Sequence, residues 1–126
     1  MPSIIRIDFD NLEDATATLE QVTDARKLTR RIRWELDNPD HVATASDGVI
    51  RAGLQAADDI VQAFAVNDTA GAKAARNSFF AANPIGNFAV GLGATSGITT
   101  GTGNIAIGGD ALADVTSQSN QFEICG

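Results

Sequence analysis

Apolar and polar residues alternate at the start of the chain, where Ile5, Ile7 and Phe9 are separated by Arg6 and Asp8 and followed by Asp10. A period of two predicts a short, half-exposed strand. The period then lengthens. Leu12, Ala15, Leu19, Val22, Ala25, Leu28, Ile32 and Leu36 recur every three or four residues and predict one long helix. Asn11 is its expected N-cap, with Glu13 and Asp14 in the first turn where the helix dipole favours acids. Asp37–Asn38–Pro39 is its expected stop, because proline disfavours helical geometry in the residue before it. After a loop around His41, Ser46 or Asp47 caps a second helix, with Val49, Ile50, Gly53, Ala57, Ile60, Val61 and Phe64 on one stripe and Arg51, Asp58 and Asp59 outside it. Asn67–Asp68 opens a third, alanine-rich helix from Thr69 to Phe80, and Asn83–Pro84 breaks the chain after it. Phe79 and Phe80 are expected to plug the open end of the segment that follows, since stacked repeats need capped termini.

From Gly86 onwards the chain repeats itself with a period of 17 residues. GNFAVGLGATSGITTGT is followed by GNIAIGGDALADVTSQS and then by NQFEICG. Asn87, Asn104 and Gln121 correspond, as do Phe88, Ile105 and Phe122, then Val90, Ile107 and Ile124, and then Ile98 and Val115. Phe88 and Val90 point to one side of a short strand, and Asn87, Ala89 and Gly91 to the other, so one face is bulky and one minimal. Nine of the twelve glycines lie in this segment, which excludes a helix. Alternation at such a period predicts a solenoid, in which each unit is one coil stacked on its neighbours. Phe88, Val90, Ile105, Ile107, Phe122 and Ile124 are the candidate repeat core; Asn87, Gly91, Asn104, Gly108 and Gln121 are the candidate turn and ladder positions.

The GNxAxG motif, followed by Ala and a threonine-rich spacer, resembles the left-handed parallel β-roll repeat of trimeric bacterial adhesin heads. It is more closely similar to that of phage tail-fibre and virion-fibre proteins. Gly103–Asn104–Ile105–Ala106–Ile107–Gly108 through Ala111–Leu112 carries the likeness most fully, and the resemblance covers 41 of the 126 residues. Two positions depart from it: Glu123 stands where the other units have Ala89 and Ala106, and Cys125 where they have Gly91 and Gly108. The resemblance implies a homotrimer of left-handed parallel β-rolls.

Charge divides the chain. All nine Lys and Arg residues lie at or before Arg76, and the last fifty residues hold only Asp110, Asp114 and Glu123 as charged groups. Together with the resemblance, which implies the roll and the trimer, this makes the expected fold α+β: a mainly helical base with a short strand over residues 1–85, then a short left-handed parallel β-roll over 86–126, assembled as a homotrimer. Neither half buries much surface alone, and oligomerisation is the natural remedy. A net charge of −7 argues against nucleic acid as a partner. No leader pattern and no apolar run of about 18 residues is present, so the expectation is a protein assembled in a cytoplasm without membrane contact. One cysteine rules out an internal disulfide framework.

Lys27, Arg30, Arg31 and Arg33 crowd the last part of the first helix beside Trp34. Cations there suit a helix C-terminus. The same residues would serve for docking on an acidic surface of a larger assembly, with Trp34 as core or interface anchor. Catalytic material is thin: His41 is the only histidine, Cys125 the only cysteine and tyrosine is absent, while Asp58 and Asp59 diverge on a helix. The glycine-rich runs lack the Lys and helix of a phosphate cradle. No enzyme, cofactor or metal site is expected. The resulting expectation is a non-enzymatic virion structural protein, a surface trimer decorating a phage capsid and assembled in the host cytoplasm. Its partners would be capsid or tail structural proteins, with a host-surface ligand as a further one. The alternatives are a short tail fibre or spike for host attachment and, more remotely, a bacterial trimeric adhesin head fragment. Glu123 is expected to guard an open strand edge, leaving the roll as a finished knob.

Overall fold

The computed structural model describes residues 3–12, 17–37, 48–91, 93–97, 100–114 and 116–125. Within them the fold is α+β, in the order β1 (Ser3–Asp8), α1 (Leu19–Asp37), α2 (Gly48–Ala65), α3 (Thr69–Ala82), β2 (Phe88–Val90), β3 (Ile105–Ile107) and β4 (Gln121–Cys125). The expected features at Glu13, Asp14, Pro39, His41, Ser46, Asp47, Ile98 and Val115 lie outside the described residues.

Helix α1 begins later than the periodicity suggests. Ala17 and Thr18 are not helical, and Thr18 is the cap: its Oγ1 accepts from Gln21 N at 3.1 Å while Gln21 Oε1 accepts from Thr18 N at 2.7 Å. This reciprocal capping box satisfies two amide groups at the helix start, so Asn11 is not the cap of α1. At the other end of the helical layer, α2 closes in a Schellman motif. Asp68 N donates to Ala63 O and Asn67 N to Phe64 O, with Asn67 in the left-handed region at φ 57°. Asp68 then caps α3, its Oδ1 accepting from Gly71 N at 2.8 Å. One short junction therefore ends one helix and starts the next.

Strands β2, β3 and β4 are parallel and in register: Phe88 pairs with Ile105 and Ile105 with Phe122, and Val90 pairs with Ile107 and Ile107 with Ile124. Each step is one 17-residue repeat. The sheet has a fourth member that the repeat does not announce. β1 runs antiparallel to β4, with Ile5 opposite Ile124, Arg6 opposite Glu123 and Ile7 opposite Phe122, giving the order β1-β4-β3-β2. β4 is thus an inner strand. The expectation that Glu123 guards an open edge fails here, because that edge is occupied by β1.

One face of the sheet joins the helices in a single core. Ile5, Ile7, Phe88, Ile105, Ile107, Phe122 and Ile124 cluster with Val22, Ala25 and Leu28 of α1, Leu54, Ile60, Val61 and Phe64 of α2, and Ala72 and Phe79 of α3. Segments 1–85 and 86–126 therefore share one core. Phe88 shows how closely the layers meet. Its ring lies against Gly53, where a Cβ would stand 2.1 Å from a ring carbon, and edge-on to Phe79 at 5.4 Å. Gly53 is needed for that approach, since any side chain there would displace the ring.

The opposite face carries the small and polar residues, and the repeat's own connection folds back over it. Ala106 and Cys125 pack with Ala111 and Leu112, and Ala94 joins them from the unit before. Ala106 is as fully buried as Ile107.

Candidate assembly surfaces

The repeat is held by a ladder of amide side chains. Asn87 Oδ1 accepts from both the backbone N and Nδ2 of Asn104, at 3.1 and 2.9 Å, and Asn104 Oδ1 accepts from Gln121 N at 2.8 Å. In the other direction Asn87 Nδ2 donates to Gly101 O and Asn104 Nδ2 to Gln118 O, residues at the same place in successive spacers. Asn104 is fully buried, and its side chain satisfies groups in both neighbouring coils. A buried amide so fully bonded specifies register, because a slip of one residue would orphan every partner.

The backbone repeats even where residue types do not. Positive φ recurs at Gly86, Gly103 and Asn120, at Gly91 and Gly108, at Gly93 and Asp110, and at Thr95 and Leu112. Leu112 is the costly member, a fully buried leucine at φ 55°, a conformation worth about 1–2 kcal/mol of strain. The partner of its amide explains the departure at Glu123. In the first unit Thr95 N donates to Ala111 O of the next coil at 2.8 Å; in the second, Leu112 N donates to Glu123 Oε1 at 2.8 Å. The glutamate carboxylate supplies the acceptor that a stacked coil supplies elsewhere. Arg6 of β1 stands 3.8 Å from Glu123 Oε2 and 2.9 Å from Asp114. The hydrogen bond from Arg6 draws the Asp114 carboxyl below its ordinary pKa. The other departure, Cys125, has its thiol pushed up to about 11 by burial and by the neighbouring Glu123.

Arg76 of α3 ties the helical layer to the coil corners, a role that sequence reasoning missed. Its Nη2 donates to Gly103 O at 3.0 Å and to Asn120 Oδ1, and its guanidinium lies over the rings of Phe9 and Phe80 at 5.3 and 5.4 Å. Asn120 in turn donates to Asp10 Oδ1 and accepts from Phe9 N. Burial lowers the pKa of Arg76, with Asp10 opposing. The only sequence signal was its place as the last cation before a stretch with none.

On α1 the expected docking residues separate. Arg33 turns inward and donates to Gln55 Oε1 at 3.1 Å; Lys27, Arg30, Arg31 and Trp34 share the exposed face. The outer residues expected on α2 are partly spent on the same contact: Asp58 pairs with Arg26 at 3.0 Å, Arg51 with Asp37, and Asp59 accepts from Gln55. Lys27, Arg30 and Arg31 have no ion-pair partner among the described residues. The helix dipole does not account for them. Its effect is confined to the last turn, and the last turn of α1 holds no cation. Lys27 and Arg31, one turn apart, repel by about 0.2–0.5 kcal/mol in an isolated helix. Beside them runs an open groove between α1 and the end of α2, lined by Leu19, Val22, Arg26, Lys27, Arg30 and Val66, in which Leu19 is 79% and Val66 73% exposed.

Among the described residues no three His, Cys, Asp or Glu side chains converge on a point, and no helix is long and apolar enough to cross a membrane. No protein-family model, curated protein or solved structure matches the chain.

Proposed function

We propose that the chain is a non-enzymatic structural protein of a phage virion, a homotrimer displayed on the capsid and seated by its helical layer. The observation that carries this reading is the amide ladder Asn87–Asn104–Gln121 through in-register 17-residue coils. Those are the positions in which the sequence resembles virion-fibre repeats. The pairing of β1 with β4 supports a knob over a shaft, because no further parallel strand can add at β4. Burial of Phe88, Ile105 and Phe122 is completed within one chain, so it does not require the trimer. In this reading three chains meet instead at what remains open, the β2 edge at exposed Ala89 with Ile85 beside it.

Purified particles from the phage whose genome encodes the chain provide the test. Peptides of this protein are expected in the particle by mass spectrometry, and particles lacking it should show a capsid shell without knobs. A protein found only in the host cell and never in particles would end the proposal. Light scattering is expected to give three times the 13.1 kDa chain mass.

A further inference from the structure

The α1 face combines two features that no contact among the described residues explains. Lys27, Arg30 and Arg31 form a cationic stripe on a chain whose net charge is −7. Directly beside Lys27 and Arg30, the open groove between α1 and α2 exposes Leu19 and Val66, two of the large apolar side chains that the fold leaves in solvent. Packing among the described residues gives no reason to place exposed aliphatic side chains beside cations that have no ion-pair partner there. A surface of this kind matches a partner that is both acidic and locally apolar.

We infer that this groove is a docking site for an acidic protein segment that carries one aliphatic or aromatic side chain between carboxylates. The apolar side chain lies between Leu19 and Val66, and the flanking carboxylates meet Lys27 and Arg30, with Arg31 extending the field along α1. Trp34, 52% exposed, lies one turn beyond Arg30 on the same face of α1 and outside the lining of the groove. Nucleic acid fits less well: three cations neutralise few phosphates, and the acidic remainder of the chain repels a polyanion. The inference deepens the proposed seating through the helical layer and rests on that reading for its biological setting; the chemistry of the groove stands independently of it.

Binding is read by calorimetry, with the emission of Trp34, the only tryptophan, as a second signal for a segment that extends along α1 past Arg30. The probes are a twelve-residue peptide of aspartate and glutamate with one central leucine, the same peptide with serine at the centre, a single-stranded oligonucleotide, and vesicles of anionic phospholipid. The leucine peptide is expected to bind in a salt-dependent manner, and the serine peptide several-fold more weakly. The double variant Lys27→Glu with Arg30→Glu should weaken binding at least about tenfold, and Leu19→Ser with Val66→Ser should remove the preference for leucine over serine. All four sites are exposed or border solvent, and unchanged circular dichroism and melting confirm that each variant is folded. Failure of the leucine peptide to bind, or tighter binding of the oligonucleotide or vesicles, overturns the inference. So does a trimer that dissociates in the double charge variant, which would make the groove a contact between copies. Particle composition tests the virion reading separately, so either idea can fail alone.

Discussion

On one face of the sheet Phe88, Ile105, Ile107, Phe122 and Ile124 are covered by three helices from elsewhere in the chain, whereas on the other Ala106, Glu123 and Cys125 are covered by the repeat's own connection. The difference lies in who supplies the lid. A coil folding back on itself leaves little room beneath it, which favours alanine and glycine on that face, and the larger Glu123 is held there by its hydrogen bond from Leu112 N. The helix-facing side has no such limit and takes the largest aliphatics. The minimal face is therefore an internal seam at Ala106, which is fully buried, while on the β2 edge it stays open at Ala89.

Four substitutions or conditions break or sharpen this contrast, in falling order of effect. Ile107→Ala on the helix side should cost about 2–5 kcal/mol by loss of a buried branched side chain, read as a shifted midpoint in urea at unchanged slope. A neutral result would mean that the helices do not cover this strand. Ala106→Leu tests the other face. If the seam is closed it should overpack and destabilise by about 1–3 kcal/mol, whereas an open small-residue surface would accept leucine with little change.

Glu123→Ala removes the acceptor of the buried Leu112 amide and should cost about 1–3 kcal/mol, while Glu123→Gln, which keeps an acceptor oxygen, should recover most of it. Equal losses in both variants would assign the role of Glu123 to its charge beside Arg6 instead. The smallest effect concerns Cys125. Its folded thiol is raised to about 11 from 9.0, so the folded state holds a proton that the unfolded state releases. The resulting stability is complete below pH 9 and is lost as pH rises through the folded value. A modest fall in melting temperature between pH 9 and 11, absent in Cys125→Ala, is expected, together with slow alkylation of the native thiol at neutral pH. Rapid modification at pH 7 would place the thiol in solvent.

The period of 17 residues made the parallel strands and their register legible, because identical positions in stacked coils must meet. The three helices were legible from their apolar spacing. β1 was read as a strand but not as part of this sheet: its pairing with β4 joins residues at opposite ends of the sequence, and alternation in Ile5 and Ile7 names no partner. The start of α1 was misplaced because Asn11 and Thr18 are both plausible caps; Gln21, three residues after Thr18, was the deciding signal. The basic stripe was legible as composition, yet the inward turn of Arg33 depends on where α2 lies. Leu19 looked like an ordinary member of the α1 apolar pattern and Val66 belonged to none, and only packing shows that both stay outside.

The position of β1 between solvent and β4 also constrains the order in which the molecule can form. Coils stacked in sequence can grow by local steps, each closing a loop of one repeat, but the β1–β4 pair must close nearly the whole chain and incurs the largest loop entropy. During synthesis β1 emerges first among the described strands and its sheet partner last, so its apolar residues wait beside helices that have already emerged until β4 leaves the ribosome. In pulse-labelling hydrogen exchange the amides of β1 are then expected to gain protection in the slowest phase, after β2 and β3 have paired. A chain stalled before β4 carries an unpaired, aliphatic strand, and that intermediate is the state most exposed to aggregation.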